Sequence, residues 1–125
     1  MIVVLFSTTP NPDRSEEEYR ETNERMSRLV EQIPGFISST AYTAEGGGSV
    51  TVVRFESEEA LRAWATHPEH RAAQRRGREA FYDEYWIQVC ATIREGWFRQ
   101  GEPYRQNLGE LFRSPRSLRP SAAAS

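Results

Sequence analysis

The stretch WATHPEHRAAQRRGREAFY brings Trp64, His67, His70 and Tyr82 close together along the chain, and it contains the only two histidines in the protein. His67 and His70 stand three residues apart, a spacing that can put both on one helix face. A metal centre needs at least a third ligand, and beyond these two only Cys90 and scattered carboxylates are on offer, so no metal site is predicted. An imidazole with an ordinary pKa near 6.5 is well matched to removing an acidic phenol or α-keto proton at neutral pH. Two readings of His70 stand side by side: a hydrogen-bonded residue in the wall of a core, or a general base in a pocket between helices and sheet. Trp64 is either core or a flat aromatic wall for a substrate. Tyr82 supplies a hydroxyl in the same region. His67, beside Pro68 at a helix mouth, reads as a capping-region residue.

Positioning these side chains requires a scaffold, and the chain spells one out. IVVLFSTT (residues 2–9) is rich in β-branched residues and stops at PNP, which predicts a first strand buried on both faces. SEEE (residues 15–18) has the Ser-x-x-Glu form of a capping box. Tyr19, Met26, Leu29, Val30 and Ile33 then recur at helical spacing until Pro34 and Gly35. Two strands, residues 36–44 and 49–56, flank EGGG as a hairpin. No helix follows those glycines, so they do not form a phosphate-binding loop. A short helix carries Leu61 and Trp64. THPE (residues 66–69) reads as a second capping box, opening a helix that runs to about Tyr82. A last strand, residues 84–95, sets Tyr85, Ile87, Val89, Ala91 and Ile93 on one face.

The resulting order β-α-β-β-α-α-β predicts an α+β, ferredoxin-like split arrangement with one antiparallel sheet. Helices cover one face of such a sheet. The other also bears apolar groups, and pairing two subunits face to face would cover it. Residues 1–98 are expected to form this domain. Residues 99–125 are expected to be an arm and, in the Ser-, Pro-, Arg- and Ala-rich end, a disordered tail. Ser38, Thr40 and Tyr42 on the second strand, Ser7 on the first and Arg54 on the third are candidates to line a cavity facing the helices. The basic run Arg71, Arg75, Arg76 and Arg78, interrupted by Gln74 and Glu79, reads as a solvated helix face.

Composition narrows the chemistry further. All 16 basic residues are arginine, which excludes a Schiff-base lysine and lysine-attached cofactors. One cysteine leaves no intrachain disulfide. A formal charge of −2 gives no electrostatic case for nucleic acid. MIVVLF is too short for a membrane span and lacks a basic flank, so a cytoplasmic protein with no membrane partner is expected.

The element order, IPGF between the first helix and the second strand, Trp64 and the HPEHRAA that follows it resemble the antibiotic biosynthesis monooxygenase family of the dimeric α+β barrel superfamily, over about residues 1–98. The resemblance implies a homodimer. It also implies oxidation of a polycyclic aromatic or polyketide-like substrate, of the anthrone- or phenol-to-quinone type, with molecular oxygen and no cofactor. In the family's best-understood type the Trp is followed six residues later by a Tyr and preceded by an Asn four residues earlier; here these positions hold His70 and Ala60. A haem-degrading sister group needs a first-strand Asn and a His ten residues past the Trp. This chain has Ser7 to Thr9 and Gln74 there, so haem degradation is disfavoured. The expectation is therefore a cofactor-independent monooxygenase with His70 as base, Trp64 stacked on the substrate and Tyr82 or Tyr42 stabilising the anion. A cyclase or isomerase on the same scaffold, or a non-catalytic small-molecule-binding dimer, are the alternatives.

Overall fold

The computed structural model describes residues 1–108. Its elements are β1 (Ile2–Pro10), α1 (Glu16–Val30), β2 (Phe36–Thr43), β3 (Ser49–Phe55), α2 (Glu58–Ala65), α3 (Pro68–Arg76), a π-helical turn (Gly77–Phe81), β4 (Tyr82–Ala91) and a hairpin of β5 (Arg94–Trp97) with β6 (Arg105–Leu108). The first four strands form one antiparallel sheet in the order β2-β3-β1-β4. This is the ferredoxin-like α+β arrangement that the sequence predicts.

Local chemistry sets the element ends. Ser15 Oγ accepts from the Glu18 amide at 3.1 Å, and three glutamates fill the first turn of α1, where the helix dipole favours negative charge. Ser57 Oγ accepts from the Ala60 amide at 3.1 Å and opens α2 in the same way. The third cap departs from expectation. His67, not Thr66, caps α3, its Nδ1 accepting from the Glu69 amide at 3.1 Å, with Pro68 in the first turn. Thr66 Oγ1 instead bonds back to the Arg62 carbonyl at 2.8 Å. Gly35 of the IPGF turn has φ +91°, and a Cβ there would come 2.7 Å from the Ala60 Cβ, so glycine is needed both for its backbone and for the close seating of α2.

The core lies between the helices and one face of the sheet: Ile2, Val4, Val30, Phe55, Ala60 and Trp64 pack together, with Phe55 fully buried. Rows of aligned residues cross this face from β2 to β4, among them Ala41–Thr51–Phe6–Ile87 and Ser39–Val53–Val4–Val89. The opposite face carries Tyr42–Val50–Ser7–Trp86, then Thr40–Val52–Leu5–Gln88, then Ser38–Arg54–Val3–Cys90.

That assignment corrects the expected cavity lining. Ser38, Thr40, Tyr42, Arg54 and Ser7 all lie on the face away from the helices. The cause on β2 is a bulge: Phe36 pairs with Phe55 but Ser38 already pairs with Arg54, so the register shifts at Ile37. Simple alternation from Phe36 would keep Ser38, Thr40 and Tyr42 on the helix side, and one extra residue exchanges the faces.

The last strand of the sheet ends at Ala91, and Thr92 donates to the Met1 carbonyl at 3.0 Å. The chain then returns as the β5–β6 hairpin, which straddles the domain boundary expected at residue 98. Here the Glu95 carboxyl is raised above the usual range by burial, opposed by the charges of the N-terminus and Arg54. The serine-, proline- and arginine-rich end expected to be disordered lies outside the described residues. Among those described, no helix is long and apolar enough to cross a membrane.

Candidate functional site

A cavity of about 430 Å³ lies between the helices and the sheet. Its floor is the helix-side face of β1, with Val4, Phe6 and Thr8, flanked by Ser39, Thr51 and Val53 of the neighbouring strands. Its roof comes from α1, through Tyr19, Asn23 and Met26, and from α3, through His70, Ala73 and Gln74. Three residues singled out by the sequence, Trp64, His70 and Tyr82, are all in its wall. His67 is not: its Nδ1 is committed to the cap and its ring leans on Trp64 with centroids 5.9 Å apart.

His70 has a defined state. Its ring stacks on the Trp64 indole, centroids 4.1 Å apart and planes 17° from parallel. Its Nδ1 lies 3.1 Å from the Trp64 carbonyl oxygen. A carbonyl only accepts, so Nδ1 carries the proton, and the neutral ring keeps its lone pair on Nε2. Burial lowers the pKa below 6.5, the bond to the Trp64 carbonyl opposes the shift, and His67 adds to it. The imidazole is therefore neutral at pH 7, held through Nδ1 by the backbone, with Nε2 able to accept a proton. Trp64 itself is only 7% exposed, with His70 over one ring face and core side chains around the rest. It backs the imidazole more than it presents a surface to a ligand.

Tyr82 opens β4 directly after the π-helical turn, its amide donating to the Gly77 carbonyl. Its ring meets Phe6 and Tyr19 edge to face, at 5.7 and 6.0 Å between centroids. Burial first, then the Tyr19 hydroxyl beside it, pushes the Tyr82 phenol well above its ordinary range, against the pull of Arg14. It is a neutral hydrogen-bond donor at any pH the protein meets.

Sequence reasoning placed Tyr19 in the apolar stripe of the first helix, and it missed Arg14 and Gly77. The guanidinium of Arg14 lies 3.7 Å from the centroid of the Tyr19 ring and donates to the Phe81 carbonyl at 3.4 Å. The signal for Tyr19 was its register: Asn23, Met26 and Val30 follow it on one helix face, and all four line the cavity. The basic run of α3 is a solvent-facing stripe, in which Arg76 forms a two-point ion pair with Glu18 at 2.6 and 2.8 Å. Among the described residues, no group of three or more His, Cys, Asp or Glu side chains comes together as a metal site would require.

This geometry has relatives. The sequence profile of the antibiotic biosynthesis monooxygenase family matches residues 1–76. The chain is 32% identical over 97 residues to the uncharacterized protein YqjZ of Bacillus subtilis, covering 78% of this chain and 83% of that one. It is 26% identical over 107 residues to the jasmonate monooxygenase ABM of Pyricularia oryzae, covering 82% of this chain but only 49% of that longer protein. The structure of SnoaB, a cofactor-independent oxygenase from Streptomyces nogalater, superposes with a TM-score of 0.63 over 81% of this chain and 97% of its own, at 13% identity, a likeness of fold alone. Taken with the fold and the profile match, these place the chain in the antibiotic biosynthesis monooxygenase family.

Proposed function

We propose that the protein is a cofactor-independent monooxygenase that oxidises a flat, fused-ring aromatic or polyketide-like substrate of the anthrone or phenol type. The observation that carries this reading is the His70 imidazole. It is neutral, backed by Trp64, held through Nδ1 by the Trp64 carbonyl, and set in the wall of a largely apolar cavity. Nε2 takes the acidic proton of the substrate, leaving a carbanion conjugated with the ring system. The apolar walls of Val4, Phe6, Val53 and Met26 fit the faces of a fused aromatic. An electron-rich carbanion reduces O2 itself. Carbon–oxygen bond formation gives a hydroperoxide, and loss of water leaves the quinone carbonyl, so one CH2 and one O2 yield one C=O and one water. The cofactor-independent name belongs to SnoaB and the monooxygenase activity to the fungal relative. Both lend weight to oxygen chemistry in this chain without fixing a substrate.

The test is oxygen uptake by chelator-treated protein given 1,8-dihydroxyanthrone. Stoichiometric uptake with appearance of the anthraquinone is expected. Turnover of the probe without oxygen consumption would replace this reading with cyclase or isomerase chemistry, and tight binding without turnover would leave a binding protein.

The same reading has two copies pairing through the helix-free sheet face. Trp86 and Tyr42 stand at the two ends of one cross-strand row there, 65% and 55% exposed, with Val50 between them. Trp86→Glu puts a charge into that row. Sedimentation should show a dimer for the wild type and a largely monomeric variant, and an unshifted dimer would move the interface elsewhere.

A further inference from the structure

We infer that the end of the cavity remote from His70 is a built oxygen-recognition site. There the Tyr19 and Tyr82 phenols, beside the Arg14 guanidinium, donate hydrogen bonds to a carbonyl or phenolic oxygen on the far ring of the substrate. This rests on the aromatic-ligand reading of the cavity, and not on the oxygen chemistry at its other end.

Two independent measures set the ends apart. Along the floor, Trp64 packs with Val4 of β1, and Tyr82 packs on Phe6 while its backbone pairs opposite Pro10. The lining residues of β1 run from Val4 to Thr8, roughly 13 Å at the rise of a strand, with the Tyr82 ring over Phe6, roughly 7 Å along from Val4, and its backbone beyond Thr8. Along the roof, His70, Ala73 and Gln74 line the cavity, and Gly77 follows on the same face of α3, pressed against the Tyr82 ring. From His70 to Gly77 is two helical turns, about 10 Å. A tricyclic aromatic is about this long. A ligand with the phenolic hydroxyl of one end ring at Nε2 therefore brings its opposite ring to the two phenols.

That end is constructed and polar. A Cβ on Gly77 would fall 2.9 and 3.1 Å from Cε2 and Cδ2 of Tyr82, so the ring is seated directly on the glycine. The π-helical turn then swings the chain into β4 with Tyr82 as its first residue, and such turns recur where a helix must re-aim a functional side chain. Tyr19 meets Phe81 and Tyr82 edge to face at 5.5 and 6.0 Å, while Arg14, with a side chain only 13% exposed, covers the Tyr19 ring. The Arg14 guanidinium is itself paired with the Glu16 carboxylate at 2.7 Å, so it closes this end as a polar cover over the Tyr19 ring rather than as a net charge, and the two phenols supply the donors. Since the substrate is conjugated, charge created by deprotonation at His70 spreads to such an oxygen, and the same contacts stabilise the anion. Gly77 is a positioning residue in this scheme, acting through Tyr82.

A pair of probes differing by one remote oxygen tests it: 2,6-dihydroxyanthraquinone against 2-hydroxyanthraquinone, with affinities measured by calorimetry. Wild-type protein should prefer the first by at least fivefold. In Tyr82→Phe and Tyr19→Phe the preference should fall toward twofold, the statistical factor for a ligand with two equivalent ends. Affinity for 2-hydroxyanthraquinone should stay within twofold of wild type. Gly77→Ala, which keeps every hydroxyl but displaces the Tyr82 ring, should lose the preference as Tyr82→Phe does, and a retained preference there would remove its positioning role. An unselective wild type, tyrosine variants that keep the preference, or equal loss of both probes would each overturn the site. Oxygen uptake separates the two readings. Uptake without the preference removes this site and leaves the oxygenase, whereas the preference without uptake leaves the site and removes the oxygenase.

Discussion

Replacing His70 with alanine should lower kcat/KM for oxygen uptake with 1,8-dihydroxyanthrone about a hundredfold, roughly 2.7 kcal/mol of barrier and within the usual contribution of a positioned general base. The fold should tolerate the change. The Trp64 carbonyl, which loses its bond from Nδ1, still accepts from the His67 amide at 3.1 Å, so no buried acceptor is orphaned. His70→Asn sharpens the test, because its amide can restore a donor toward that carbonyl while offering no base. If the imidazole is the base, both variants are slow. If His70 only braces Trp64, the asparagine variant recovers most of the activity.

The pH dependence follows from the same burial. The folded-state pKa of His70 lies below 6.5, so the acidic limb of kcat/KM should fall below pH 6.5 and the rate should be flat above it. Stability follows with the same sign. Between the lowered folded pKa and the unfolded value of 6.5, the unfolded chain binds more protons. His70 therefore contributes stability that is complete above 6.5 and is lost as pH falls through the folded pKa. A limb lying above pH 7 would point to a different base.

How far the sequence carried depended on whether a feature is local. The Ser15 and Ser57 caps, the helical stripe from Tyr19 to Val30 and the alternation of β4 are short-range patterns, and they gave the element order and the ferredoxin-like sheet. His70 and Trp64 were legible because one helix–turn–helix break holds both. The bulge at Ile37 was not, since it shows only in the pairing of Phe36 and Ser38 with β3, and it moved Ser38, Thr40 and Tyr42, three of the five expected cavity residues, to the other face. The π-helical turn depends on Gly77 meeting the Tyr82 ring, a tertiary contact with no periodic signature. The β5–β6 hairpin escaped because GWFRQGEPYR lacks strand alternation. Its strands are joined through a turn in which Gly101 takes φ +88°, and it was read as an extended arm. Arg14 carries no local signal in the sequence. Only the fold lays it over Tyr19.

Trp64→Ala should be strongly destabilising, costing about 3–5 kcal/mol, the range for truncating a buried Trp to Ala. The indole is 7% exposed and packs with Ile2, Val4, Val30, Phe55 and Ala60 at the centre of the core. Against a total stability of roughly 5–15 kcal/mol for a domain, this should lower Tm by roughly 10–20 °C in thermal unfolding. Activity loss in that variant would be ambiguous, so Trp64→Phe decides the residue's role. Phenylalanine keeps an aromatic surface behind the imidazole and fills most of the volume, and it should lose less than half as much stability. Had Trp64 been the platform on which the substrate stacks, the smaller ring would weaken binding of 2-hydroxyanthraquinone severalfold. With His70 already occupying the ring face at 4.1 Å, the expected result is different. Calorimetric affinity should hold within about twofold while the rate falls, because a narrower backing lets the imidazole tilt and Nε2 lose its aim. A rate that holds while affinity collapses would make Trp64 a substrate contact after all.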